Sequence, residues 1–191
     1  TPFLKLSTLQ WTNTLFDEAV YQRAAEQALN NWAIKVANLD LASRSENVVY
    51  KVTNQNGDNF ALRIHRPGYN RLEELESEVI WAEALRDAGI YVPTHIETKE
   101  NLFYALVELG DKKTPHQVCL IEWLEGESLE NLVSKARKET IEDSFFKLGE
   151  LMAQVHNQTS NWTPPSSFTR RSWNADGLMG PEPLWGKFWE T

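Results

Sequence analysis

Apolar residues recur along this chain at two different periods, and each change of period marks a new element. Phe16, Val20, Ala24, Ala28 and Trp32 fall on one helical face, so an amphipathic helix is predicted from Phe16 to Trp32 as an appendage packed on the rest of the chain. From Ile34 the period drops to two: Leu39 and Leu41 alternate, a polar stretch Ala42–Asn47 intervenes, and Val48–Val52 resumes as a strand. Asn56-Gly57 predicts a hairpin turn, because both residue types tolerate positive φ, and Phe60–His65 is the return strand. The basic loop Arg66-Pro67-Gly68 leads into a helix from about Arg71 to Ala88, with Leu72, Leu75, Val79, Ala82 and Leu85 on one side and Gly89 as its stop. Strands are predicted at Thr94–Thr98 and Leu102–Leu109. After the turn Asp111–Pro115, the strongly apolar Val118–Leu124 is a further strand.

Three strands, one long helix and three more strands, joined by hairpin-type connections, predict an α+β fold: an antiparallel sheet with a helix inserted after its third strand. Past Gly126 the pattern turns helical. Ser128 is placed to cap a short helix through Lys135, and Ile141, Phe145, Leu148, Leu151, Met152 and Val155 share a face over Ile141–His156. Beyond His156 no periodicity survives, and the segment is rich in Pro, Gly, Ser and Trp.

Composition narrows the picture. With 191 residues, 41% of them hydrophobic, the chain can bury a respectable core. Its apolar runs fall far short of the roughly 20 residues a membrane span needs, and TPFLKLSTLQW has no basic region followed by an apolar run and a cleavage site. A soluble, cytoplasmic protein with no membrane partner is expected. Cys119, the single cysteine, lies in an apolar strand and reads as a small buried hydrophobe. The net charge of −8 argues against a nucleic-acid partner. It leaves a nucleotide open, because that needs only local positive charge.

The third strand carries the first candidate chemistry. Strand side chains alternate, so Phe60, Leu62 and Ile64 point one way and Ala61, Arg63 and His65 the other. A small Ala61 would lie over a flat adenine ring while Arg63, two residues on, reaches phosphate. A guanidinium fork can grip phosphate oxygens in pairs. Lys51 or Arg44 could share that work. In the following helix a glutamate must face the sheet to orient the cation. Glu78 borders the apolar face and Glu74 is its competitor, whereas Glu73 and Glu76 read as a solvated face. In the loop Ser43–Asn47, which has no glycine, Ser45 and Asn47 can offer backbone N–H groups to phosphate. The strand end Ile121–Gly126 presents backbone groups to an adenine, through the Glu122 carbonyl and the Leu124 N–H.

With these residues and the stretches SENVVYKV, FALRIHRPGY, ESEVIWAEALRDAGIYVP, CLIEWLEGESL, LGELMAQVHNQT and FTRRSWNADGLMGPEPLWGKFW, the chain resembles the aminoglycoside phosphotransferase and choline kinase superfamily. Within it, the likeness is to the branch that includes homoserine-kinase-type bacterial enzymes, from about Leu39 to the end. The resemblance implies a protein-kinase-like bilobal fold and transfer of the γ-phosphate of ATP to a hydroxyl on a small molecule, with Mg²⁺ in the complete enzyme. It puts Arg63 in the place of the phosphate-binding lysine, Glu78 as its helix partner and Glu122–Leu124 as the link between lobes. The implied division is 1–33 as a helical extension, 34–124 as the ATP-binding lobe, and 125–191 as the start of an incomplete helical lobe with an aromatic-rich insert.

The family also places an H-G-D…N catalytic loop and a later metal-binding aspartate after the last helix. None of His65, His95, His116 or His156 is followed by Gly-Asp or Arg-Asp, and Asp176 falls in the insert that precedes the loop. The expectation is an ATP-binding portion with no catalytic or metal-binding residue of its own, inactive alone. Trp162, Trp173, Trp185 and Trp189 crowd the end of the chain, where a missing lobe or a second copy in a homo-oligomer would cover them. The alternative is a non-catalytic remnant that binds nucleotide or a partner protein.

Overall fold

The computed structural model describes residues 17–110, 113–184, 186, 187 and 189. Phe16, at the start of the predicted first helix, and Trp185, in the aromatic-rich end of the chain, lie outside them. The described residues form α1 (Glu18–Leu29), β1 (Val36–Arg44), β2 (Asn47–Asn54), β3 (Asn59–His65), α2 (Leu72–Asp87), β4 (His95–Ile96), β5 (Tyr104–Leu109), β6 (Thr114–Glu122), α3 (Leu129–Lys135), α4 (Lys138–Asn161) and α5 (Ala175–Met179). The six strands make one antiparallel sheet in the order β1-β2-β3-β6-β4, with β5 also paired to β6. The α+β architecture is the one the pattern predicts.

One sheet face is built for apolar packing. Val48, Tyr50 and Val52 alternate inward from β2, Leu62 and Ile64 from β3, and Val118 and Leu120 from β6, and they meet Ala24, Ala25, Ala28, Leu29 and Trp32 in one cluster. Three alanines let α1 approach the sheet closely, and Asp17 caps it by accepting from the Val20 N–H at 3.2 Å. The fully buried Trp32 donates its indole N–H to the Ile96 carbonyl at 2.8 Å. The helix is therefore part of the core rather than an appendage. Five small or aromatic side chains spaced along one face cannot reveal which surface they meet.

The hairpin between β2 and β3 differs in detail from the expected turn. Its loop is longer than two residues, and only Gly57 has positive φ, at 88°. The Asn54 side chain supports the loop by accepting from the backbone N–H groups of Asn56 and Asp58.

The opposite sheet face carries α2. The Arg71 N–H donates to the Glu74 carboxylate at 2.9 Å to start the helix. Gly89, at φ 80°, ends it, with the Ile90 N–H reaching back to the Leu85 carbonyl. The apolar contact here is small: Leu75 and Val79 with Tyr104 and Cys119, flanked by Phe103 and Ile121. Cys119 is a fully buried free thiol, and burial pushes its pKa up to about 12.

After β6 the Ser128 hydroxyl caps α3 by accepting from the Asn131 N–H. The long α4 runs on past His156 to Asn161 with no buried residue, leaving Phe145, Phe146, Leu151 and Met152 exposed. Among the described residues no helix is long and apolar enough to cross a membrane.

Candidate functional site

Strand alternation brings Asn47, Lys51, Ala61, Arg63 and His65 to the α2 face of the sheet, and register sets their neighbours. Val49 lies opposite Arg63 on β2 and Cys119 opposite it on β6, while Ala61 is flanked by Lys51 and Ile121. Ala61 is buried, and only its methyl group projects from the strand two residues before Arg63.

Arg63 crosses to the helix. Its Nη1 donates to Glu78 Oε1 at 3.1 Å, an ion pair about three-quarters buried on both sides. With the Asn47 amide oriented so that its oxygen faces the strand, that oxygen accepts from Arg63 Nη2 at 3.2 Å. Arginine carries five N–H donors, so a helix carboxylate and a strand amide fix the fork and still leave donors for an incoming anion. Burial pushes the Glu78 carboxyl upward, but the charge and hydrogen bond of Arg63, helped by Arg170, pull it further down, below the usual carboxylate range. Glu78 is thus held ionised.

Two histidines stand behind the pair in neutral form. His65 Nε2 lies 3.5 Å from Cys119 Sγ, and burial, with Arg63 nearby, lowers its pKa to about 4. His95 packs against the rings of Phe103 and Tyr104. Burial lowers its pKa to about 4 as well, and neither ring nitrogen has a hydrogen-bond partner among the described residues.

The turn at Ser45 differs from the expected loop. β1 and β2 continue on either side of Ser45-Glu46, and the Ser45 N–H donates to the Asn47 carbonyl at 3.0 Å. Ser45 thus has only its hydroxyl to offer an anion, and Asn47 acts on Arg63. Lys51 is turned elsewhere: it pairs with Glu125 at 3.6 Å and sits over the Trp123 ring.

At the end of β6 the chain leaves the sheet. The Glu122 N–H donates to the Thr94 carbonyl at 2.8 Å, while its carboxylate accepts from the Tyr91 hydroxyl at 2.5 Å and the Thr94 N–H at 3.3 Å. The Tyr91 hydrogen bond, aided by Thr94, holds that carboxyl below its usual range. Two residues on, the Leu124 N–H donates to nothing among the described residues, and its side chain is exposed.

The pattern of the chain gave no hint of one further contribution. The extended segment after α4 crosses α2, where Arg170 Nη1 lies 3.6 Å from Glu78 Oε2 and donates to the Glu74 carbonyl at 3.2 Å. Arg171 Nε meets the buried Glu74 carboxylate at 2.9 Å. Glu74, the competitor for the helix carboxylate, is therefore taken by another arginine. Two adjacent arginines in an aperiodic stretch were the available signal, without an indication of the carboxylates they meet.

The family model described as "Phosphotransferase enzyme family" matches residues 39–182, well over half of the chain, and the protein belongs to that family. Two solved structures are similar to it. The microcompartment-associated aminopropanol kinase is 30% identical with a TM-score of 0.71, over 86% of this chain and 49% of that one. The amicoumacin kinase hAmiN, in complex with AMP-PNP, Ca²⁺ and Ami, is 18% identical with a TM-score of 0.65, over 83% of this chain and 45% of that one, and shares the fold. The chain thus spans about half the length of these kinases. No curated protein matches it.

Proposed function

We propose that this chain is the ATP-holding portion of a small-molecule kinase. Arg63 receives the nucleotide phosphates, Glu78 and Asn47 aim it, Ala61 underlies the adenine, and the Glu122 carbonyl and Leu124 N–H meet the adenine edge. Ser45 adds a hydroxyl at the phosphate end. One observation carries this reading: the 3.1 Å pair between a strand cation and a helix carboxylate, two residues beyond a small buried side chain. A cation held this way keeps its geometry when an anion arrives, and phosphoryl transfer depends on such positioning.

In this reading the acceptor is a hydroxyl on a small molecule, and the residues that activate it and hold Mg²⁺ belong to sequence beyond these 191 residues. Two observations support that division. The chain spans about half of the similar kinases. The helix α4 has no fully buried residue among its side chains. Mg²⁺ would supply charge neutralisation at the phosphates.

The test is thermal shift with Mg-ATP. Wild type should gain stability with ligand, and Arg63→Ala should lose most of that gain; equal shifts in the two proteins would reject the assignment. ADP release by this chain with any small alcohol would reject the placement of the catalytic groups outside it.

A further inference from the structure

We propose that Arg170 is a positioning residue for the nucleotide site: it locks the free oxygen of Glu78, and with its neighbours clamps α2 so that Glu78 stays on Arg63. The inference rests on the phosphate role proposed for Arg63.

Three consecutive residues make the clamp, each 92 to 102 positions from its partners. The Thr169 N–H donates to Ser77 Oγ at 2.9 Å, and Ser77, fully buried, donates in turn to the Glu73 carbonyl at 2.7 Å. Arg170 reads both the backbone of α2 at Glu74 and the carboxylate one turn later at Glu78. Arg171 holds the Glu74 carboxylate, the Tyr69 carbonyl and the Asn70 side-chain oxygen, and lies over the Tyr69 ring. The contacts run from the loop before α2 through its first two turns.

This clamp matters because apolar packing under α2 is sparse. Among the described residues the buried apolar cluster here is Leu75 and Val79 with Tyr104 and Cys119, and so small a contact fixes the rotation of a helix poorly. The polar contacts supply the missing restraint. A carboxylate bonded at one oxygen can still swing about its terminal torsion; Glu78 has Arg63 hydrogen-bonded to Oε1 and the Arg170 guanidinium 3.6 Å from Oε2, an ion pair that opposes that swing. The Arg170 side chain is 40% exposed, so its removal opens no cavity, and its loss should register at the site more than in stability.

Mg-ATP titration by calorimetry on the full chain tests this, with Arg170→Ala, Arg170→Lys, Glu78→Gln and the double variant Arg170→Ala/Glu78→Gln. We expect Arg170→Ala to weaken binding roughly three- to tenfold, Arg170→Lys to recover part of the loss, and Arg170→Ala to add nothing once Glu78 is Gln. Undiminished binding by Arg170→Ala, or the same loss in the Glu78→Gln background, would overturn the positioning role and leave the nucleotide site standing. A wild-type chain that binds no Mg-ATP would remove the site itself and the role with it. Should Arg170→Ala fail to fold, Arg170→Lys carries the same comparison, with binding equal to wild type counting against the role.

Discussion

The two faces of the sheet are covered by helices of opposite character. Beneath α1 the contact is mostly apolar, from Ala24 to Leu120, with the Tyr50 hydroxyl and the His116 ring as polar members. Beneath α2 a small apolar patch is ringed by Arg63, Glu78, Glu74 and two neutral histidines. The first arrangement is simple to assemble and insensitive to exact geometry. The second keeps largely buried charge, which is stable only while every partner is in place. Stability and specific chemistry thus sit on opposite sides of the same strands, and β3 serves both, with Leu62 and Ile64 on one face and Ala61 and Arg63 on the other.

This contrast can be broken most severely at Trp32. Trp32→Ala removes a fully buried side chain and its hydrogen bond to Ile96 and should cost about 3–5 kcal/mol of unfolding free energy, read by urea titration. The fraction that folds should bind Mg-ATP as wild type does. A variant that stays as stable as wild type would mean that Trp32, just past the end of α1, does not anchor this side of the core.

Acid should weaken the other face most, although burial also lowers the pKa of His116, which packs against Tyr21 on the α1 side. His65 and His95 have folded pKa values of about 4 against an ordinary 6.5, so as pH falls the unfolded chain takes up protons first. Their contribution is complete above about pH 6.5, declines through the interval down to about 4, and is fully lost below it. At pH 5 the loss should be on the order of 2 kcal/mol for each histidine. Glu78 acts lower: its pKa is depressed, so its contribution is present above 4.5 and disappears as pH falls through the folded value. Urea midpoints that do not move between about pH 7 and 5 would contradict this account.

The smallest effect sharpens the comparison by relieving each face of an orphaned polar atom. The Tyr50 hydroxyl on the α1 side and the His95 ring on the α2 side are buried without hydrogen-bond partners among the described residues. Tyr50→Phe and His95→Phe should each be neutral or stabilise by about 1 kcal/mol. His95→Phe should also remove a share of the stability lost between about pH 7 and 5, the rest staying with His65 and His116. Clear destabilisation by either variant would show a partner of functional weight at that position.

Local regularities were legible in sequence, and long-range polar contacts were not. Alternation in β3 places Ala61 and Arg63 together, and helical spacing brings Glu78 to the edge of the apolar face of α2, so two periods narrow the partner of Arg63 to Glu78 or its competitor Glu74, and the structure pairs it with Glu78. Strand ends were less certain: β1 continues through Ser43 and Arg44, polar residues that look like loop, because pairing with Val48 and Val49 holds them. Arg170 and Arg171 lie in a stretch with no period, and nothing local distinguishes them from solvated charges. Glu74 was legible as a rival for the sheet-facing carboxylate, but not that Arg171 holds it.

β6 occupies the middle of the sheet although it comes last in the strand sequence, and this orders events during synthesis. β1, β2 and β3 can pair as soon as they are made, but the far edge of β3 must wait for Val118–Glu122, which completes it. Ribosomes add about 5–20 residues per second, so the interval between His65 and Glu122 leaves that edge open for roughly 3–11 s. An open edge carrying Phe60, Leu62 and Ile64 can recruit another strand. The nascent chain is therefore open to wrong edge pairing until β6 emerges.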